Sequence, residues 1–358
     1  MTAKEHLCEW VFRGTDDNRY FLYAEIIMSI PSNSWFWGSY NDLYLAVDPR
    51  KRSLTHYLFM GAVQFRVLRS PKSDLSKFFP ISLSYCEDVD HGNVADSFLR
   101  FCEDHWESLS EIVQNREVQI NKLGRNSLIL PLLAEANSRL GRAATFVEAG
   151  SSVGLGLLWP YLSAGYSSGT ALKGGGYTGE VSLECCVAGG PVLPLDGLVD
   201  QPERLIGIDI DPLDADCKAD VDWLRALVAP NDSAGRKSLE CGLALLRRHR
   251  PEILRGCVLE RLRDIVAAMP DREPLVVYHC MTLHHLIDAG KLEAWRRLLC
   301  LIAESRPVIE AYVAWEEGTP SATPWPVEIR IREWRHPISE LIGWADPSAD
   351  GTSIMFRA

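Results

Sequence analysis

The chain has 358 residues, 47% of them hydrophobic and 24% charged, enough for one large or two ordinary domains with a buried core. A net charge of -11 argues against a nucleic-acid backbone as partner, and no apolar run is long enough to span a bilayer. Ten scattered cysteines and no visible signal peptide lead us to expect reduced thiols in a cytoplasm.

To about residue 140 the sequence reads as helical. Apolar residues recur at helical spacing near Glu5–Phe12, Tyr20–Ile30 and Leu54–Leu68. Pro31-Ser-Asn-Ser34, Val47-Asp-Pro49 and Ser70-Pro71-Lys-Ser73 interrupt them. Asn93–Val113 is the clearest case, with Val94, Phe98, Phe101, Trp106, Leu109 and Val113 on one stripe and acids opposite. Asn126–Leu140 is another apolar helix, with Pro131 in its first turns. The aromatics Trp10, Trp35, Phe36, Trp37, Phe78 and Phe79 are expected to pack a core or a lid. Between the last two helices lies the polar stretch Gln119–Asn126, of the kind that often closes over a site. Arg125 there suits a carboxylate, and Asn121 an amine or carbonyl of a ligand. The plainer reading is a helix cap and a surface arginine.

The next stretch organises the chain: Thr145-Phe-Val-Glu148-Ala-Gly150-Ser151-Ser152-Val-Gly154-Leu-Gly156. An apolar strand ends in an acid, small residues turn the backbone, and Leu157-Leu-Trp159 reads as the start of a helix. Such a turn approaches a ligand closely, and a helix start offers unpaired N–H groups. A nicotinamide fingerprint needs other glycine spacing, and a phosphate loop needs a lysine that is absent. The pattern G-x-S-x-G is also a nucleophile elbow, with Ser152 as nucleophile, followed by Asp209 or Asp211 and then His279, His284 or His285. A hydrolase of that type has several strands before its elbow, whereas here the preceding region is helical.

From Pro160 to about Arg204 the chain is rich in glycine, with a strand over Glu180–Val187, and reads as an insertion carrying a β-hairpin. Tyr177, with Trp159, Tyr161 and Tyr166, is placed to face a cation. Alternation then resumes. Arg204–Asp209 is a buried strand ending in acids, Val221–Val228 and Ser238–Arg250 are helices, and Glu252–Cys257 is a strand. A helix from Leu259 to Met269 leads to the strand Pro274–Cys280, with His279 near its end, where its unperturbed pKa suits proton transfer. His279, Cys280, His284 and His285 lack a second ligand pair at finger spacing, so no metal is expected. Lys291–Glu304 is a helix and Pro307–Trp315 a strand. Val327–Trp334 and Ser353–Arg357 are read as a final antiparallel pair, joined through Gly343–Gly351.

The run from Glu148 to Gly154 resembles the first motif of class I S-adenosylmethionine-dependent methyltransferases, with Ser152 in place of the usual middle glycine. The resemblance implies a Rossmann-like α/β sheet, mostly parallel with an antiparallel C-terminal strand. Residues 1–140 would be a helical N-terminal domain or lid. Residues 141–358 would bind the cofactor, with the hairpin insertion near 160–204. It also implies S-adenosylmethionine as methyl donor or as substrate, held by Glu148, Gly150, Ser151, Ser152, Gly154 and Arg125. Asp209, with Asp211 as second choice, would hold the ribose. Cys257 stands where the family usually has the acid that binds adenine. His279, Tyr177 and Asn121 would line the reacting end.

Together with Asn121–Arg125, Gly207–Leu213, Trp223–Val228 and Gly343–Pro347, these residues resemble an uncharacterised bacterial family, domain of unknown function 2332. A small-molecule substrate is expected, in one of two reactions. One is methyl transfer; the other is internal cyclisation to azetidine-2-carboxylate with release of methylthioadenosine. A serine hydrolase using Ser152 is the rival from another class, and a non-catalytic binding module a third.

Overall fold

The computed structural model describes residues 2–13, 18–167, 169–175, 179–188, 195–315, 327–334, 338–345 and 353–355. Among these, helices α1 (Ala3–Arg13), α2 (Phe21–Ser29), α3 (Trp35–Ala46), α4 (Thr55–Arg69), α5 (Val94–Asn115) and α6 (Asn126–Leu140) precede the first strand, β1 (Thr145–Ala149). A 3-10 helix, Leu155–Tyr161, leads to β2 (Leu162–Tyr166), β3 (Ala171–Lys173), β4 (Val181–Ala188) and β5 (Gly197–Leu198). Then come β6 (Arg204–Asp209), α7 (Lys218–Ala226), α8 (Ser233–His249), β7 (Glu252–Arg255), α9 (Val258–Ala268) and β8 (Leu275–Cys280). They are followed by α10 (Leu283–Asp288), α11 (Leu292–Ala303), β9 (Val308–Trp315), β10 (Val327–Glu333), β11 (Ile338–Ala345) and β12 (Ser353–Met355).

Two compact units emerge, one of residues 1–120 and 216–240, the other of residues 121–215 and 241–358. In the first, α4 is buried along nearly its whole length, and its Gln64 amide donates to the carbonyls of Ala226 and Val228, both at 2.8 Å. Trp223 on α7 donates from its indole to Glu117 O at 3.1 Å, and the buried Asp222 accepts from Lys218 at 2.8 Å. Contacts so distant in sequence draw residues 216–240 to the first helices. By the same logic α6 belongs with the sheet unit, where Leu128 to Ala136 join the cluster built on Phe146 and Val276.

The second unit holds a seven-stranded sheet in the order β11-β10-β9-β8-β1-β6-β7. β7, β6, β1, β8 and β9 are parallel; β10 runs antiparallel to both β9 and β11. This is a Rossmann-like α/β sheet with antiparallel C-terminal strands. The five residues of β1 are all buried, as befits a central parallel strand covered on both faces. Alternation sorts its side chains. Phe146, with Val276 and Tyr278 of β8, joins the cluster containing α6, Leu157 and Trp159. Val147 and Ala149, with Leu275 and Val277, pack instead against α9 and α11. Glu148 therefore shares the face of Tyr278, its register partner.

Three expectations are corrected. After β1 comes a seven-residue 3-10 helix containing Pro160 rather than a full α-helix. Proline cannot donate to a continuing ladder, and the buried Leu155, Leu157, Leu158 and Trp159 leave no solvent face. The insertion is more than a hairpin: β2 pairs antiparallel with β3 but parallel with β4, in a second sheet ordered β12-β4-β2-β3-β5. Finally, β12 pairs parallel with β4, and the partner of β10 is β11, in the segment read as a loop. The register shifts between Ile329, opposite Gly343, and Arg330, opposite Leu341. That bulge breaks the period-two pattern by which a strand is read from sequence.

All ten cysteines are free. Among the described residues no helix is long and apolar enough to cross a membrane.

Candidate functional site

In the parallel part of the sheet, the chain leaves β1 toward β6 on one side and leaves β8 toward β9 on the other. The carboxyl ends of β1 and β8 thus flank the point where the strand order reverses, the usual ligand crevice of an open α/β sheet. Glu148 to Ser152 form one lip and Cys280 to Thr282 the other.

The first lip is a tightly bonded turn. Gly150 and Ser151 both donate their backbone N–H to Ile208 O, at 2.8 and 3.2 Å, and Gly154 N–H closes on Ser151 O at 2.7 Å. Gly150 sits at φ 79° and Gly154 at φ 96°, in the left-handed region that favours glycine. Ser152, without that freedom, sits at φ 51°. Its N–H donates to Asp209 Oδ2 at 2.7 Å, while Asp209 Oδ1 accepts Asp211 N–H at 2.9 Å. The Asn121 amide donates to Ser151 O at 3.0 Å, which ties the segment before α6 to the turn. These amides, which the sequence suggested for an anion, are largely consumed by the protein.

Glu148 is the anomaly. It is 6% exposed, and its Oε2 is buried without a hydrogen-bond partner. Burial, reinforced by the Asp209 carboxylate, pushes its carboxyl up to about 8. Gly156 lies so close that a Cβ there would come within 1.9 Å of Glu148 Oε1. The Ser151 hydroxyl is also buried with no partner. Cys280, on the second lip, is pushed up to about 11 by burial; the Arg125 guanidinium pulls it down and the Glu148 carboxyl pushes it up. Arg125 and Glu148 therefore each lie within electrostatic reach of Cys280. Cys280 was weighed from sequence only as a metal ligand and Thr282 not at all; their place at a strand end beside β1 is what brings them to the site.

Thr282 packs over Gly150. A Cβ at Gly150 would meet its Oγ1 at 2.4 Å. Met281, beside it, adopts φ 60°. Of the non-glycine residues at positive φ among those described, Ser152, Arg250, Arg272 and Met281, two stand on the two lips. Backbone strain of this kind collects at functional sites. Two small hollows lie elsewhere, one in the helical unit and one beside Glu310.

Other expected site residues are placed differently. His279 points to the face opposite Glu148. It stacks on Tyr312 with ring centroids 4.9 Å apart, and its Nε2 lies 3.4 Å from Glu310 Oε1, which also accepts from the Trp295 indole at 2.7 Å. Burial alone would push the Glu310 carboxyl up, but the hydrogen bond and charge of His279, with Trp295 and Arg332, hold it below the usual range. Asp211 accepts the Arg255 guanidinium at 2.5 Å on the surface. Cys257, half-buried, is the N-cap residue of α9. The expected aromatic wall is taken up in packing. Trp159 is fully buried against Phe146, Tyr161 stacks on His249 at 3.5 Å, and the Tyr166 hydroxyl donates to Ser127 O at 2.8 Å. Tyr177 and the His284 side chain lie outside the described residues. Among those described, no three His, Cys, Asp or Glu side chains are grouped to hold a metal ion.

The chain matches over residues 31–349 the model of a family described as uncharacterised proteins conserved in bacteria, DUF2332. It is a member of that family. No curated protein matches the chain. Solved structures similar to it include three of WbdD. A high-resolution crystal structure is 16% identical over 52% of this chain and 28% of that one, at a TM-score of 0.26. A structure described as the bifunctional kinase-methyltransferase is 17% identical over 56% and 32%, also at 0.26. Monomeric WbdD is 17% identical over 62% and 38%, again at 0.26. The chain thus spans about a third of WbdD. The fold class of this family member rests on its own sheet order, not on superpositions this loose.

Proposed function

We propose that the crevice between β1 and β8 takes S-adenosylmethionine, and that the protein is an enzyme of small-molecule metabolism acting through it. The observation that carries this reading is the buried, unmatched Oε2 of Glu148 at the strand-order reversal, with the Ser151 hydroxyl also unmatched nearby. Buried polar groups in native proteins are nearly always paired, so two orphans at the strand-order reversal support a polar ligand there. An ammonium group supplies donors to both. The residues fit the amino-acid end of the molecule: Glu148 and Ser151 for its amine, Arg125 for its carboxylate.

Asp209 keeps a second lone pair on each oxygen, beyond those used by Ser152 and Asp211, and can accept from ribose hydroxyls. Asp211, paired with Arg255, stays the second choice for that role. Thr282 must move off Gly150 for entry. The strained backbone of Met281 is the part of the second lip suited to that change. Bound there, the sulfonium supplies electrophilic carbon; the protein supplies alignment, which accounts for much of the rate in such displacements.

A second reading within the same site is favoured by the raised pKa of Glu148. Once ionised, a carboxyl with a pKa near 8 is a strong enough base to take the proton of a neighbouring amine, the requirement for the ligand's own nitrogen to act as nucleophile and close azetidine-2-carboxylate. The deciding experiment is incubation of the purified protein with S-adenosylmethionine alone, followed by mass spectrometry. Methylthioadenosine without any acceptor supports cyclisation. Adenosylhomocysteine formed only after adding small-molecule extract supports methyl transfer. No heat of binding by calorimetry removes both.

A further inference from the structure

The groups around Glu148 do little to steady a negative charge on it. From β8, Tyr278 donates its one hydroxyl hydrogen to Gly156 O at 3.2 Å, and burial, with the Glu148 carboxyl beside it, holds that phenol well above its ordinary value. Cys280, at the end of β8, stays a thiol, pushed up to about 11 by burial. From β6, Asp209 is a second carboxylate whose two oxygens accept the N–H groups of Ser152 and Asp211. It offers Glu148 repulsion rather than a bond. The Arg125 guanidinium, in the 3-10 turn before α6, acts on Cys280. From the 3-10 helix after β1, Gly156 brings bare backbone against Glu148 Oε1, and the buried Ser151 hydroxyl makes no bond to the carboxyl.

A buried carboxylate with no partner on one oxygen and a like charge beside it takes up a proton. Burial and Asp209 accordingly push Glu148 up to about 8, and at pH 7 the protein alone holds it mainly as the neutral acid. A ligand ammonium changes that balance. Placed against Oε2, it brings both the missing donor and an opposite charge, and each favours the ionised carboxyl.

We infer that binding of the amino-acid end ionises Glu148: its O–H bond breaks, the proton leaves to solvent, and the ligand's ammonium keeps all three hydrogens in an ion pair with the carboxylate. The inference rests on the proposed binding of S-adenosylmethionine at Glu148 and adds a regulation to it. The ionised form is the one that binds, so affinity rises with pH, about tenfold for each unit up to about 8. Occupancy of the site then responds to pH in the neutral range.

The test uses the full chain and two probes. S-adenosylhomocysteine has the same amino-acid end and no methyl group to transfer; methylthioadenosine lacks that end. Calorimetry at pH 7 in two buffers of different ionisation heat counts the protons released. With S-adenosylhomocysteine, close to one proton per site is expected, and about tenfold higher affinity at pH 7 than at pH 6. Methylthioadenosine should release none. Glu148→Gln should bind S-adenosylhomocysteine with little release and with an affinity flat between those pH values; the wild-type counts stand by themselves if that variant does not fold. Binding without proton release, or release that persists in Glu148→Gln and so traces to the ligand's own amine, would overturn the inference and leave the proposed function standing. No binding of either nucleoside would remove both.

Discussion

Asp209 accepts the backbone N–H of Ser152 at 2.7 Å, and Ser152 is the residue of the glycine turn held at a positive φ without being glycine. The two facts belong together. A left-handed non-glycine residue costs on the order of 1–3 kcal/mol, and a hydrogen bond to a charged acceptor contributes about 1.5–3 kcal/mol. The carboxylate that the family resemblance assigns to a ribose therefore also holds the turn in shape. Asp209→Ala should lower stability by roughly 3 kcal/mol, and Asp209→Asn, which keeps one acceptor, by less. Urea denaturation of both variants measures this; equal stability of wild type and Asp209→Ala would show that the turn holds itself.

Glu148 makes stability depend on pH in an unusual direction. Its folded pKa of about 8 lies above the ordinary carboxyl value of 4.5, so between those values the folded state binds more protons than the unfolded one. Stability then falls as pH rises through that window. The full effect is on the order of 5 kcal/mol. Glu148→Gln removes the titrating group. It should match wild type near pH 5, become the more stable of the two near pH 8, and bind S-adenosylmethionine more weakly. Parallel denaturation curves at both pH values would contradict the buried, unmatched state of the carboxyl.

The contact of Thr282 with Gly150 predicts a coupled pair. Gly150→Ala places a Cβ 2.4 Å from Thr282 Oγ1 at a φ of 79°, so it should destabilise by more than about 2 kcal/mol. Adding Thr282→Gly should recover the steric part and leave the backbone part. Alone, Thr282→Ala loosens the packing over Gly150 and should tighten S-adenosylmethionine binding, because less free energy is needed to reach the open state. Weaker binding in Thr282→Ala would mean that Thr282 touches the ligand rather than blocking it.

Glu310 and His279 should behave as a structural pair. The folded pKa of Glu310 is depressed, so its contribution is present above the unfolded value and is lost as pH falls through the folded one. Glu310→Ala strands the His279 ring and the Trp295 indole N–H, a loss of about 3–5 kcal/mol for a broken buried pair. His279→Gln should lower Tm while leaving the KM for S-adenosylmethionine near wild type. A change in kcat with unchanged Tm would return His279 to the chemistry.

The sequence alone determined the pieces whose signal is local. The stripe on α5, the buried runs of β1, β6 and β8, and the glycine turn with an acid before it are all visible because neighbouring residues set them. The strand Arg204–Asp209 ends in the acid that accepts the Ser152 N–H. What only the tertiary structure decided is what depends on partners far away in the chain. α7 joins the helical unit because Gln64 and Glu117 meet it, not because of its own residues. β11 was hidden by a bulge, and β12 by a partner more than 160 positions earlier, Cys186. The face of the sheet that receives His279 was not legible because alternation gives parity but not which side holds the ligand. Nor could spacing reveal that Thr282 lies over Gly150, or that Glu148 is left without a partner. A strand's character follows from its own side chains, whereas the environment of a buried carboxyl is set by every segment that folds around it.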